Sequence, residues 1–151
     1  MNSKNEVSPE AITAWARMFR VSQSMLSAAD AELKTHGFPP LVWYDALLEL
    51  KRVGTQGMRP YELQKAMLLA QYNMSRLLDR LVTADYVERR AYEEDKRGQT
   101  LFITPAGRKL LQNMWPVYRS IIGKAFADRL EEADIADLNR IFKTLDNACR
   151  A

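Results

Sequence analysis

Between Gln71 and Arg97 the sequence sets carboxamide and guanidinium groups at spacings that one surface could present together: Gln71, Asn73, Arg76 and Arg80, then Arg89, Arg90, Lys96 and Arg97. A carboxamide carries a donor and an acceptor side by side, the pairing that matches the edge of adenine, and a guanidinium reaches guanine or a phosphate. Gln71, Asn73 and Arg76 are therefore candidates for reading base edges, with Tyr72 and Ser75 better suited to phosphates. Arg80, Arg89, Arg90, Lys96 and Arg97 would neutralise a nucleic-acid backbone, which supplies affinity without reading sequence. Asp95 fits a different task, pairing with Arg97 to hold a loop tip in shape. Other chemistry is poorly provided for. One histidine, His36, and one cysteine, Cys149, leave no Cys/His cluster for a metal, no intrachain disulfide and no Ser/His/Asp set. No glycine-rich phosphate loop is present, so an enzyme is not expected, and neither is a cofactor.

The elements that would position these groups follow from the apolar spacing. Ile12, Trp15, Phe19, Ser22, Leu26, Ala29 and Leu33 recur at steps of three and four, a long helical seam ending near Gly37. Pro39 and Pro40 cannot continue it, and a second helix follows with Leu41, Tyr44, Leu47, Leu48 and Lys51 along one side. A short third helix is expected over residues 61–67 after Pro60, and a fourth from Gln71 to Asp85. In the fourth, Met74, Leu77, Leu78, Leu81 and Val82 form the inner stripe and leave Tyr72, Asn73, Ser75, Arg76, Asp79 and Arg80 outside. After Asp85 the period changes. Residues 86–92 and 99–104 read as two strands, with Glu93 to Gly98 as a charged hairpin tip. Thr104-Pro105 starts a fifth helix that runs toward Ala127 and should kink or split at Pro116. A sixth begins near Glu131, with Ile135, Leu138, Ile141, Phe142 and Leu145 as its stripe. Helix, turn, helix and a basic ribbon together make a winged helix-turn-helix over residues 40–104, flanked by long helices.

Charge points to the same stretch. The chain of 151 residues carries a net charge of +3, and that whole excess lies in residues 58–110, with ten basic and seven acidic side chains. Each end, 1–57 and 111–151, is balanced at six against six. The basic middle suits a polyanion. A chain of this length, 47% apolar, buries roughly 70% of its unfolded surface and can build a core unaided. Its polar first ten residues and the lack of any long apolar run predict a soluble, cytoplasmic protein with no membrane contact.

The run Ser75-Arg76-Leu77-Leu78-Asp79-Arg80-Leu81-Val82, then Asp85-Tyr86-Val87-Glu88-Arg89, Asp95-Lys96-Arg97-Gly98 and Ile103-Thr104-Pro105-Ala106-Gly107, closely resembles the MarR family of bacterial transcriptional regulators. The match covers about thirty residues at family spacing and departs from it at Asp85, where glycine is frequent, and at Ile103, where leucine is usual. The resemblance implies a mainly α fold with a small β-hairpin wing, in the order helix, helix, strand, helix, helix, two strands, helix, helix. It also implies that residues 1–39 and 105–151 form a shared helical dimerisation region, and that the homodimer reads pseudo-palindromic duplex DNA, in most cases as a repressor. Gln71 to Asn73 match no single family pattern, so the operator is left open.

Regulators of this kind commonly answer to small aromatic or anionic ligands held between dimerisation region and winged module. Trp15, Phe19, His36, Trp43, Tyr44 and Tyr118 are candidate lining residues, although aromatics at helical spacing are ordinarily packing and a histidine at a helix end is ordinarily a cap. Cys149 stands far from the N-terminal helix where a peroxide-sensing thiol would be needed. The alternative to a DNA-binding regulator is a winged-helix adaptor that binds proteins and has lost DNA, against which the outward Arg76, Arg80 and Arg97 speak.

Overall fold

The computed structural model describes residues 6–69, 73–92 and 95–150. Its first helix, α1 (Pro9–Thr35), is started by the Ser8 hydroxyl, which accepts the Ala11 N–H at 3.1 Å, and by Pro9 in the first turn. It closes where Gly37 takes φ +76° and the amides of Phe38 and Gly37 donate back to Leu33 and Lys34, a left-handed stop that glycine adopts without steric cost. The expected seam is present as a helix but buried only at its C-terminal end. Ala29 and Leu33 are covered, whereas Ile12, Trp15 and Phe19 are 56%, 64% and 49% exposed.

Helix α2 (Leu41–Val53) follows Pro40, which has no side chain to cap it. The cap comes from α1 instead, where Asp30 Oδ1 accepts the Leu41 N–H at 2.8 Å and joins the two helices. The buried side of α2 carries Leu41, Tyr44, Ala46, Leu47 and Leu50, together with one charged residue, Asp45. Lys51, expected on that side, is exposed, because Leu50 rather than Lys51 completes the inner turn. A single turn, Gly54–Gln56, leads to Gly57 at φ +64°, where an added Cβ would press on Phe102, Thr100 and the Leu101 carbonyl. The strand expected before the third helix shrinks here to one bridge, Met58 with Leu101.

Helices α3 (Pro60–Ala66) and α4 (Met74–Thr83) complete the helix-turn-helix. The fourth is shorter than the predicted Gln71 to Asp85. Asn73 acts as its cap and so stands outside it, and Asp85 leaves helical geometry at φ +64°. Strands β1 (Val87–Tyr92) and β2 (Asp95–Ile103) pair antiparallel from Val87 with Ile103 to Ala91 with Gln99, then shift register so that Tyr92 faces Asp95. The second strand thus begins four residues before its expected start at Gln99.

Helix α5 (Pro105–Ala125) is capped by Thr104, whose hydroxyl accepts the Gly107 N–H at 3.0 Å and donates to the Asp85 carbonyl at 2.6 Å. Gly107 lets this first turn lie against Tyr86, whose carbonyl oxygen a Cβ would overlap. The helix continues through Pro116 rather than splitting there. After a turn at Ala127–Arg129, α6 (Glu132–Arg150) has no buried residue. Along its expected stripe Ile135 and Leu138 are partly covered and Ile141, Phe142 and Leu145 are exposed. The core is centred on the winged module, where Leu47, Leu50, Leu63, Leu81 and Leu101 are fully enclosed, and it is completed by Leu33 at the end of α1 and Met114 in the first half of α5; the rest of the long flanking helices extends beyond it.

Candidate nucleic-acid interface

Burial of Met74, Leu77, Leu78 and Leu81 fixes which side of α4 faces out. Ser75, Arg76, Asp79 and Arg80 occupy that outer side and are exposed. Asn73 sits just ahead of them, and its side-chain oxygen accepts the Arg76 N–H at 3.0 Å. That oxygen serves the helix, so the paired contact to adenine expected of Asn73 would require giving up the cap, and its amino group is what remains for a ligand. Gln71 and Tyr72, and the side chains of Asp95, Lys96 and Arg97, lie outside the described residues.

The arginines divide into two kinds. Arg89 on β1 donates to Asp79 Oδ1 at 2.6 Å, tying the wing to α4, while its Nε is buried without a hydrogen-bond partner among the described residues. Arg90 makes two bonds to the Glu88 carboxylate, at 3.0 and 3.1 Å, and its guanidinium carbon lies over the Phe102 ring, 4.2 Å from the ring centre. Those bonds hold the Glu88 carboxyl below its usual range and the Arg90 guanidinium above its own. Arg76 and Arg80, one turn apart, form no ion pair among the described residues. They flank a shallow cleft with Trp43, Asp79, Thr83 and Ala84. Arg89 and Arg90 thus present positions already stiffened by carboxylates, and Arg76 and Arg80 present unneutralised charge.

The six aromatic and histidine candidates do not converge. Trp15 and Phe19 meet edge to face at 5.0 Å on the exposed half of α1. Trp43 packs on Tyr86, 6.1 Å between ring centres. His36 is an exposed helix-end group, its Nδ1 3.0 Å from the Glu32 carbonyl oxygen. Tyr44 and Tyr118, from different helices, come together at 5.1 Å, and Trp115 joins both at 6.5 and 6.0 Å. Burial raises both tyrosine pKa values, with the other phenol adding to the effect at Tyr44 and the Asp45 carboxylate at Tyr118. Spacing does not single out Trp115, since it adjoins Pro116 and lies outside the buried set of α5, Gly107, Leu110, Leu111 and Met114. A cleft between α2 and α5 opens beside this trio, lined by Tyr44, Leu48, Lys51, Leu111, Gln112 and Trp115.

Spacing does not single out Asp45 either. It lies inside the α2 face, and its two oxygens accept the amides of Leu68 at 3.0 Å and Leu69 at 2.7 Å. The only signal in the chain is a lone acid inside the apolar run Tyr44-Asp45-Ala46-Leu47. Among the described residues no three His, Cys, Asp or Glu side chains gather as a metal site, and no helix is long and apolar enough to cross a membrane.

The family model described as MarR family matches residues 36–98. No curated protein sequence matches the chain. Solved structures share its fold. A MarR family transcriptional regulator from Streptomyces coelicolor in complex with DNA is 22% identical, with TM-score 0.84, over 98% of this chain and 92% of that one. A mutant MarR from E. coli complexed with operator DNA is 21% identical, with TM-score 0.76, over 93% and 99%. The S. aureus MepR–DNA complex is 18% identical, with TM-score 0.73, over 95% and 99%.

Proposed function

We propose that this chain, whose residues 36–98 match the MarR family model and whose fold is shared by solved MarR-family transcriptional regulators, binds duplex DNA as a homodimer and represses transcription. The observation that carries the reading is the outer face of α4, where Arg76 and Arg80 stand exposed, with no carboxylate paired to either among the described residues, beside a wing anchored through Arg89 and Asp79. In a winged module this helix enters the major groove, with phosphate contacts positioning it and base contacts selecting sequence. Gln71, Asn73 and Arg76 read bases in this reading. Tyr72, Ser75, Arg80, Arg89, Arg90, Lys96 and Arg97 hold the backbone, with Asp95 supporting the tip of the wing.

Dimerisation supplies the second reading head. Trp15 and Phe19 on α1, Trp115 and Ile122 on α5, and Phe142 and Leu145 on α6 are all more than a third exposed, on helices whose own chain does not cover them. A helix with no buried residue gains little from its own propensity, and a partner's matching face would stabilise it. Residues 1–39 and 105–151 make up this shared region, and two reading heads about 34 Å apart would meet successive turns of one side of the duplex. The protein acts where the DNA is, in the cytoplasm. A small aromatic or anionic effector would enter beside Tyr44, Trp115 and Tyr118, where α2 meets α5, and would shift the spacing of the heads by its differential affinity for the two arrangements.

Selection of bound sequences from random duplex DNA by the purified protein tests the reading, followed by binding of the selected duplex to Arg76→Ala and Arg80→Ala. Enrichment of one pseudo-palindromic sequence, with binding weakened in both variants, is expected. Absence of any enriched duplex would refute it. Aromatic carboxylates added to the complex test the effector: release of DNA or a raised Tm is expected, and no change in either rules them out.

A further inference from the structure

Asp45 is the one charged side chain buried among the described residues, 7% exposed, and neither the base contacts nor the phosphate contacts assigned to α4 and the wing involve it. Taking a carboxylate out of water is costly unless its lone pairs are satisfied. Here they are satisfied by two consecutive backbone N–H groups, those of Leu68 and Leu69, from more than twenty residues further along the chain. Neither residue belongs to a helix: α3 ends at Ala66 and Met67 is already extended, with ψ 142°. Leu68 is 77% exposed, so its side chain does little to anchor this segment. Met67 is buried and Leu69 packs partly against the core, and to these apolar contacts the carboxylate adds the polar tie between the segment and α2.

The segment so fastened leads into α4, which starts at Met74 and is held in the core by Met74, Leu77, Leu78 and Leu81, so the clamp acts on the chain just ahead of that apolar stripe. Asp45 also lies within electrostatic reach of Tyr118 on α5. It therefore stands where α2, the link between α3 and α4, and the dimerisation helix come together. Base edges are read by hydrogen bonds whose geometry tolerates little displacement, whereas phosphate contacts made by long cations adapt. Loosening the link would cost the first and spare the second.

We propose that Asp45 is a positioning residue for sequence recognition: by clamping the Leu68 and Leu69 amides onto α2 it sets how α4 is presented to DNA, and so governs preference for the matched sequence over DNA in general. The proposal rests on the DNA-binding reading above. It goes beyond that reading in giving the discrimination to a residue that touches no nucleic acid.

The test measures three things on the full chain: amide exchange at Leu68 and Leu69, affinity for the duplex selected by the wild type, and affinity for an unrelated duplex of equal length. In the wild type both amides are expected to be protected although they lie outside any helix, and unprotected amides overturn the proposal without any variant. Asp45→Asn keeps the shape and one acceptor oxygen. It is expected to speed exchange at both amides and to lower affinity for the selected duplex about tenfold, the cost of one orphaned buried donor, with the unrelated duplex changed less than about twofold. Asp45→Ala should go further in the same direction, and if it does not fold, Asp45→Asn decides alone. Equal losses on the two duplexes, or an unchanged ratio, would mean that the clamp is structural only. A wild type that distinguishes no duplex from another would remove the DNA-binding reading itself, a result separate from failure of the variants.

Discussion

At the scale of single residues, the arginines are sorted by what already holds them. Arg90 is paired with Glu88 and stands over the Phe102 ring, so its removal should cost less DNA affinity than removal of Arg80, which has no such ion pair among the described residues. If Arg80 neutralises one phosphate in each half of a dimer, Arg80→Ala should lower the salt slope by roughly 2. Arg90→Ala should lower it less, as read from binding constants at several salt concentrations. Asp85 presents a simpler case. Its φ of +64° puts an L side chain in the left-handed region, which costs about 1 kcal/mol relative to glycine. Asp85→Gly should hold or raise Tm and Asp85→Val should lower it, while the Asp85 carbonyl bond to Thr104 stays in place; a clear fall in Tm for Asp85→Gly would show that the carboxylate is needed.

At the scale of elements, much is legible in the sequence, and the misses have physical causes. The inner stripe of α4 can be read because Met74, Leu77, Leu78 and Leu81 repeat as the helix turns. Its start cannot, because Asn73 suits either a cap or a first turn and only the Arg76 N–H bond decides. The end of α1 is visible through Gly37 and the prolines after it, but not its start at Ser8 and Pro9, nor that half of its seam lies uncovered. Asp45 is hidden because its partners are peptide groups distant in sequence, which no residue type encodes. The aromatic candidates do not form one group, because folding pairs Trp15 with Phe19 on α1 and brings Tyr118, with Trp115, to Tyr44. The joint between wing and α5 is readable in Thr104-Pro105, and its worth can be measured. Thr104→Val removes a hydroxyl that both caps α5 and donates to Asp85, and should cost about 1 kcal/mol or somewhat more. That corresponds to a Tm lower by about 3 °C in a chain of this size. An unchanged Tm would mean that water replaces both bonds.

At the scale of the whole molecule, α1, α5 and α6 carry exposed large apolar residues that the proposed dimer would cover. Sedimentation of the wild type at micromolar concentration should give a dimer, and Phe142→Glu should shift it toward monomer while the winged core stays folded; a monomeric wild type would break the link between fold and operator spacing. Stability should also depend on alkaline pH. The phenols of Tyr44 and Tyr118 have pKa values raised above the ordinary 10.0 by burial, so the folded chain keeps protons that the unfolded chain releases. Their contribution is complete below pH 10 and is lost as pH climbs through the raised values. Tm should therefore fall above pH 10, less steeply in Tyr118→Phe, and a Tm independent of pH there would contradict the burial of the pair.

The central claim is that a dimer lays the outer face of two α4 helices and two cationic wings on duplex DNA, and the dependence of binding on salt tests it most directly. With about four phosphate contacts from each subunit, a plot of log K against log salt for the selected duplex should fall with a slope of about −7. The Arg76→Ala, Arg80→Ala double variant should give a visibly shallower line. A slope near zero, or one that the double variant leaves unchanged, would contradict the account.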